Sequence, residues 1–177
     1  MADALIIVDV QRDFEPGGAL AVPDGDAVIE PIRALVADGG FDVVLATRDW
    51  HPPDHVSFQS RGGPWPVHCV QGTDGAELDP RLPLDRIDVV IDKGTSDDGM
   101  GYSGFESDEL RTLVRTEQIV ATTIVGLATD YCVLATARDA LREGIAVTID
   151  RRGIRGIDPE TSQRALDELA AAGAILS

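Results

Sequence analysis

The chain has few cysteines, histidines and aromatic residues. Among its 177 residues there are two cysteines and three histidines, and aromatic residues make up 5%. Two well-separated cysteines, Cys69 and Cys132, do not make a disulfide scaffold, so the fold has to rest on an apolar core. The hydrophobic fraction of 44% is sufficient for such a core. A chain of this length is most simply one domain, residues 1–177.

Basic residues are also scarce. Fifteen Lys and Arg residues stand against 31 Asp and Glu residues, which gives a formal net charge of −16. This charge argues against nucleic acid and anionic membranes as partners. No apolar run approaches the length of a membrane span, and no basic leader precedes the first apolar run. We therefore expect a cytoplasmic protein with a small-molecule substrate. The oligomeric state stays open, with a homo-oligomer among the alternatives.

Short apolar runs that alternate with helical patterns define the fold class. The runs that are typical of buried strands are Ala4–Val8, Val43–Thr47, Val89–Ile91, Thr123–Val125, Ala146–Ile149 and Ala174–Leu176. The helical patterns are Ala27–Ala37, Ser107–Thr116, Tyr131–Arg142 and Pro159–Ala172. Alternation of this kind predicts an α/β fold with a doubly wound, six-stranded parallel sheet and helices on both faces. In such sheets the functional site lies beyond the carboxyl ends of the strands.

The three histidines are concentrated between positions 51 and 68, near Asp49. Asp49 and His51 are two residues apart at the end of a strand, so their side chains point to the same side. With His68 from the following loop they would form a divalent-metal site with open positions, as catalytic metals require. The alternative is that these are ordinary histidines of a surface loop, because short His/Asp patterns also occur by chance.

Residues that could act in catalysis or metal binding follow four predicted strands. They are Asp9, Asp49 with His51, Lys93, and Cys132 at the end of a turn. Each has an ordinary alternative as a cap, a solvated charge or a buried small side chain. Together they suggest a cysteine nucleophile. The start of the following helix is expected to stabilise the thiolate of Cys132. Asp9 would accept and return the thiol proton, and Lys93 would hold Asp9. Backbone N–H groups of the turn would form an oxyanion hole.

The other cysteine, Cys69, directly follows His68 and is expected to point away from the site. We interpret it as structural.

Five segments resemble one known family in order and in spacing. They are Asp9-Val-Gln-Arg-Asp-Phe14, Asp49-Trp-His-Pro-Pro-Asp-His55, Pro66-Val-His-Cys-Val-Gln-Gly-Thr73, Lys93-Gly-Thr95 and Gly126-Leu-Ala-Thr-Asp-Tyr-Cys-Val133. In these segments the chain resembles the nicotinamidases, also known as pyrazinamidases, of the isochorismatase-like cysteine hydrolase superfamily. Each segment alone is a weak signal, whereas five in register are specific.

The resemblance implies a metal-dependent enzyme that deamidates nicotinamide to nicotinate and ammonia, and also pyrazinamide, through a thioester. The roles that it implies are a triad of Asp9, Lys93 and Cys132, metal ligands Asp49, His51 and His68, an oxyanion hole from the N–H groups of Ala128 and Cys132, and aromatic walls Phe14, Trp65 and Tyr102. It also implies a cis peptide between Leu127 and Ala128.

The metal is not specified by these residues, because one carboxylate and two imidazoles suit Zn²⁺, Fe²⁺ and Mn²⁺ about equally. We interpret His55 as a residue that supports the metal site or the loop, without binding the metal. The alternative function is another cysteine amidohydrolase of the same superfamily, acting on a carbamoyl or ureido substrate. A third alternative is a non-catalytic metal-binding or interaction module on the same fold.

Overall fold

The protein, described for residues 1–177 by a computed structural model, contains the predicted six-stranded parallel sheet. Its strands are β1 Ala2–Val8, β2 Val43–Asp49, β3 Val89–Lys93, β4 Ile119–Leu127, β5 Ala146–Arg155 and β6 Ile175–Leu176. They are ordered β3-β2-β1-β4-β5-β6, and every neighbouring pair is parallel. The central pair, β1 and β4, marks where the chain reverses its direction of winding, which is where ligands bind in such sheets.

All four predicted helices are present, with small shifts at their ends. They are α1 Ile29–Asp38, α2 Asp108–Thr116, α3 Leu134–Arg142 and α4 Pro159–Ala171. Asp158 is the N-cap of α4, because its carboxylate accepts hydrogen bonds from the N–H groups of Glu160 and Thr161. None of the helices combines the length and the apolar character needed to cross a membrane.

Alternation along β1 creates two apolar layers. Ala4, Ile6 and Val8 face a core that includes buried residues of α2, α3 and α4. Leu5 and Ile7 point the opposite way, into a core formed with α1 and with the long segment between β2 and β3. Helices therefore cover both faces of the sheet, as the sequence predicts.

Strand β5 is longer than its apolar run indicates. The basic segment after Ile149 continues the strand to Arg155, with a shift of register against β4 between Ile124 and Gly126. Gly153 lies so close to β4 that a Cβ there would be 2.7 Å from Cγ1 of Val125. Because the pairing is irregular here, the apolar run ends at Ile149 although the strand continues to Arg155.

Candidate active site

The carboxyl ends of four neighbouring strands bring the candidate residues together. Asp9 directly follows β1, Asp49 ends β2, Lys93 ends β3, and Cys132 lies in a π-helical turn after β4. The carboxylate oxygens of Asp9 and Asp49 and the sulfur of Cys132 lie within 4.8 Å of one another. The predicted convergence at one sheet edge is therefore present.

Asp9 owes its position to an unusual backbone conformation. Its φ of 50° lies in the left-handed region, which few residues other than glycine adopt and which Asp tolerates better than most. Neighbouring β2 holds it there: the Asp9 N–H donates to the Thr47 carbonyl at 3.1 Å, and the Thr47 hydroxyl donates to Oδ1 at 2.7 Å. Oδ2 is left to face Lys93.

Lys93 connects the other members of the cluster. Its Nζ lies 2.8 Å from Oδ2 of Asp9, 2.5 Å from Oδ1 of Asp49 and 3.5 Å from Sγ of Cys132, and it also donates to the Gly101 carbonyl at 2.6 Å. Burial alone would lower the pKa of Lys93, but the two carboxylates outweigh burial and hold that pKa well above its usual value. The buried amine is therefore a permanent cation.

The two carboxylates beside Lys93 differ in their affinity for a proton. Burial raises the pKa of Asp9 to about 6, in spite of the opposing charge of Lys93. Burial also acts on Asp49, but the charge of Lys93 holds the pKa of Asp49 below its usual value. Asp9 is thus the carboxylate that can exchange a proton near neutral pH, and Asp49 stays ionised.

In the free protein, burial outweighs any stabilisation of the Cys132 thiolate by the helix start. Burial raises the pKa of the Cys132 thiol well above its usual value, and the facing carboxylates Asp9 and Asp49 raise it further, against the opposing effect of Lys93. The thiol therefore rests in its protonated form, and a base has to remove the proton before sulfur can attack.

Asp49, His51 and His68 form a three-donor cluster on the other side of Lys93. Nε2 of His51 lies 3.4 Å and Nε2 of His68 lies 3.8 Å from Oδ2 of Asp49. Nδ1 of His51 is 2.8 Å from the Gly94 carbonyl, and Nδ1 of His68 is 2.8 Å from the Pro66 carbonyl. Because a carbonyl only accepts, both Nδ1 atoms carry the proton, and both Nε2 lone pairs face the carboxylate.

This arrangement fits a divalent cation. All three donors are buried, and three converging lone pairs without a shared proton repel one another unless a cation lies between them. Hydrogen bonds from Nδ1 to backbone carbonyls are also the usual support of metal-binding histidines. The donor types suit Zn²⁺, Fe²⁺ or Mn²⁺.

Glycines make room for His51. A Cβ at Gly94 would lie 2.5 Å from Cε1 of the His51 ring, and the φ of Gly94 is +60°. Gly101 packs directly on Gly94 and provides the carbonyl that Lys93 binds. The glycine-rich segment after β3 therefore allows a close approach of its backbone to the histidine.

His55 and Cys69 lie outside the clusters that offer ligands. His55 is fully buried and stacks on His51, with ring centroids 4.1 Å apart, and its Nδ1 is 2.8 Å from the Ser57 hydroxyl. This placement agrees with a supporting role. Cys69 is fully buried in the apolar layer shared with α1, where burial raises its pKa well above the usual value.

A mostly apolar cavity opens onto both clusters. Its lining includes Cys132 and Ala128 as well as Asp49 and His68. The three predicted aromatic walls, Phe14, Trp65 and Tyr102, also line it. The Trp65 indole N–H donates to the Tyr102 hydroxyl at 3.0 Å, which fixes two of these rings relative to each other. The peptide between Leu127 and Ala128 is cis, as the resemblance implies.

Five residues of the cavity wall were not predicted from the sequence. They are Leu20, Val22, Leu127, Tyr131 and Ile157. Tyr131 had a signal, because it directly precedes Cys132, and its ring meets Trp65 edge-on at 4.9 Å. Leu127 ends β4. Leu20, Val22 and Ile157 come from irregular segments, whose course is set by tertiary packing and leaves no periodic pattern in the sequence.

The chain is similar to known proteins over almost its whole length. Residues 3–177 match the Isochorismatase domain. The chain is 38% identical to the nicotinamidase of Escherichia coli (strain K12) over 198 aligned positions, which cover 98% of this chain and 93% of that protein.

Solved structures show the same similarity. A pyrazinamidase of Pyrococcus horikoshii in complex with zinc is 48% identical, with a TM-score of 0.89 over 99% of this chain and 98% of the other. PnC1 of L. infantum in complex with nicotinate is 39% identical, with a TM-score of 0.94 over 99% of this chain and 91% of the other.

Proposed function

The chain belongs to the isochorismatase family, and from this premise we propose that it is an enzyme that hydrolyses nicotinamide to nicotinate and ammonia. One observation carries the proposal: Cys132 and the metal-type donors Asp49 and His68 line the same aromatic-walled cavity. A flat ring that is held at the donor cluster would present its carboxamide to the sulfur. Similarity to the Escherichia coli nicotinamidase and to PnC1 of L. infantum, whose structure was solved in complex with nicotinate, supports this substrate class.

We assign the proton transfers to Asp9. Asp9 takes the proton of the Cys132 thiol, and the sulfur forms a bond to the amide carbon while the carbonyl π electrons move to oxygen. The N–H groups of Ala128 and Cys132 are the donors for that oxyanion. Asp9 then returns the proton to nitrogen as the C–N bond breaks, and ammonia leaves.

The resulting thioester is hydrolysed by the reverse sequence of proton transfers. Asp9, now ionised, removes a proton from water, whose oxygen attacks the thioester carbon. The C–S bond breaks, sulfur recovers its proton from Asp9, and the product acid loses its remaining proton to solvent and leaves as nicotinate. Lys93 stays charged throughout and stabilises the negative charge that moves between sulfur and Asp9.

Asp49, His51 and His68 would hold the metal. A divalent cation at these donors would supply a Lewis acid for the lone pair of the pyridine nitrogen, and so would fix the orientation of the ring. Zinc is the first metal to test, because the Pyrococcus horikoshii relative was crystallised with it. Phe14, Trp65 and Tyr102 enclose the ring on its apolar sides.

The test is ammonia release from nicotinamide by purified, zinc-loaded protein, with the Cys132→Ala variant as the control. We expect turnover by the parent protein and a loss of at least about a hundredfold in the variant. Ammonia release from a ureido substrate without any from nicotinamide would refute the proposal in favour of the alternative amidohydrolase. Acid-quenched enzyme should also carry a nicotinoyl group on Cys132.

A further inference from the structure

Two side chains of the segment after β1 have no role in the chemistry above, yet they bind the backbone beside the donor cluster. Gln11 is fully buried. Its Oε1 accepts from the Asp49 N–H at 2.8 Å, and its Nε2 donates to the Asp49 carbonyl at 2.9 Å. A second Nε2 hydrogen bond, 2.8 Å long, reaches the Ala76 carbonyl.

The Gln11 amide replaces a missing strand neighbour. Regular pairing between β1 and β2 ends at Val8 and Thr47, so the last residues of β2 have no β1 backbone beside them. Gln11 supplies one acceptor and one donor to Asp49, which is what a neighbouring strand would have supplied. Both of its amide donors are in use, and a flipped amide would lose all three hydrogen bonds. The backbone of Asp49 is therefore held in one position.

Asp13 acts in the same way on the segment that carries His68. Its Oδ2 accepts from the Cys69 N–H, the next peptide group after His68, at 2.7 Å. Cys69 has a φ of 46°, a conformation that few residues other than glycine adopt, and this charge-assisted hydrogen bond helps to hold it. The Cys69 carbonyl in turn accepts from the His51 N–H at 2.9 Å.

We propose that Gln11 and Asp13 are positioning residues for the metal site, acting through the backbone of Asp49 and of the His68–Cys69 peptide. Neither side chain would bind the metal. Together they fix the three donors before a cation arrives, so that binding does not have to order them. The inference rests on the proposed metal-dependent function.

The first test is the dissociation constant for Zn²⁺, measured by competition with a chromophoric chelator. Gln11→Leu removes all three hydrogen bonds without changing charge, and we expect binding about 10- to 100-fold weaker than in the parent. The matched control is Thr122→Val. Thr122 is also buried and donates to a backbone carbonyl, that of Ala4 at 3.1 Å, near the opposite ends of the strands. Its loss should leave the Zn²⁺ constant within about twofold, because distant sites are independent.

The second test separates hydrogen bonding from charge. Asp13→Asn removes the charge but keeps an oxygen that can accept from Cys69, whereas Asp13→Ala removes both. We expect Asp13→Ala to weaken Zn²⁺ binding roughly tenfold and Asp13→Asn to stay close to the parent. This pair also decides the question if Gln11→Leu does not fold, because Asp13 is only partly buried.

The outcomes distinguish this inference from the proposed function. Parent protein that binds one Zn²⁺ and hydrolyses nicotinamide, with unchanged Zn²⁺ affinity in Gln11→Leu and Asp13→Ala, overturns the positioning role alone. Equal losses in Asp13→Asn and Asp13→Ala, or an equal loss in Thr122→Val, overturn it as well. Parent protein that neither binds Zn²⁺ nor releases ammonia refutes the proposed function, and the positioning role falls with it.

Discussion

At the scale of single residues, one cation gives two neighbouring carboxylates different properties. Lys93 contacts both Asp9 and Asp49, but its Nζ lies closer to Asp49, at 2.5 Å, than to Asp9, at 2.8 Å, and the Asp9 side chain is the more completely buried of the two. The pKa of Asp9 is therefore raised to about 6, and that of Asp49 is lowered. In the proposed mechanism this difference assigns proton transfer to Asp9 and metal binding to Asp49.

The two cysteines provide a residue-scale prediction. Cys132→Ala should lower kcat by at least about a hundredfold with the fold intact, because the covalent route is lost. Cys69→Ala should retain most of the activity, because Cys69 packs in the apolar layer with α1. Steady-state ammonia release, with circular dichroism as the check on folding, measures both. An inactive Cys69→Ala beside an active Cys132→Ala would show that the nucleophile is misassigned.

The raised pKa of Asp9 predicts the acid side of the pH profile. Asp9 must be ionised to accept the thiol proton, so activity should fall as the pH drops through the Asp9 value of about 6. At pH 5 kcat/KM should be about tenfold below its plateau, because only about a tenth of the carboxyl groups are ionised. Asp9→Asn should remove this limb together with most of the activity. A flat kcat/KM between pH 5 and 8 in folded parent protein would contradict the assignment.

At the scale of elements, the segment that follows β3 is shaped to fit His51. Gly94→Ala would place a Cβ 2.5 Å from the His51 ring at a φ of +60°. We expect this variant to displace the imidazole and to lower both Zn²⁺ affinity and kcat/KM by roughly tenfold or more. Gly99→Ala is the matched control in the same segment, because a Cβ there meets only the end of the Glu106 side chain at 3.2 Å. Equal effects of the two substitutions would contradict the steric argument.

The segment after β1 contains a second buried carboxylate, Glu15, next to the cavity wall. Glu15 is 5% exposed, and neither of its carboxylate oxygens has a hydrogen-bond partner. Burial raises its pKa to about 7; the neighbouring carboxylates Asp79 and Asp26 add to the rise and Arg81, 3.6 Å away, opposes it. The folded protein therefore prefers the protonated form of Glu15, whose usual pKa is 4.5.

This preference predicts how stability changes with pH. Because the folded-state pKa is the higher one, the contribution of Glu15 is full below about pH 4.5 and is lost as the pH rises through about 7. Relative to Glu15→Gln, the parent should lose thermal stability between pH 5 and 8. Glu30→Gln, at an exposed position of α1, should show no such trend. Melting temperatures across this range test it, and a pH-independent difference between parent and Glu15→Gln would contradict it.

At the scale of the whole molecule, the sequence predicted what depends on local pattern. Short continuous apolar runs indicated every strand and helical apolar patterns indicated every α-helix, and the topology of parallel sheets places strand ends such as Asp9 and Lys93 at one edge. The placement of Leu20 and Ile157 in the cavity wall could not be predicted, because they lie in irregular segments. The extent to which burial raises the pKa of Cys132 could not be predicted either, because burial depends on the complete fold.

At the scale of the whole site, one substrate has to contact both the donor cluster and the sulfur of Cys132, so the orientation of its ring decides whether the amide can react. A substrate that is oriented through its ring nitrogen needs a lone pair there. Pyrazinamide keeps a ring nitrogen meta to the carboxamide and should be hydrolysed, whereas benzamide has the same shape and the same amide without that nitrogen. Misplacement of a reacting carbon by about 1 Å costs on the order of a hundredfold, so benzamide should be slower than nicotinamide by about that factor.

Removal of the metal should abolish this discrimination. Chelation, His51→Ala or His68→Ala should reduce nicotinamide turnover towards the benzamide rate, because these residues contribute donors to the same cluster. His55→Ala should cost less, because its ring stacks on His51 and contributes no ligand atom to the cluster. The measurement is kcat/KM for nicotinamide and benzamide, each in zinc-loaded and in stripped protein. If loaded enzyme hydrolyses both amides equally, or stripped enzyme retains full activity on nicotinamide, the ring is not anchored at Asp49, His51 and His68.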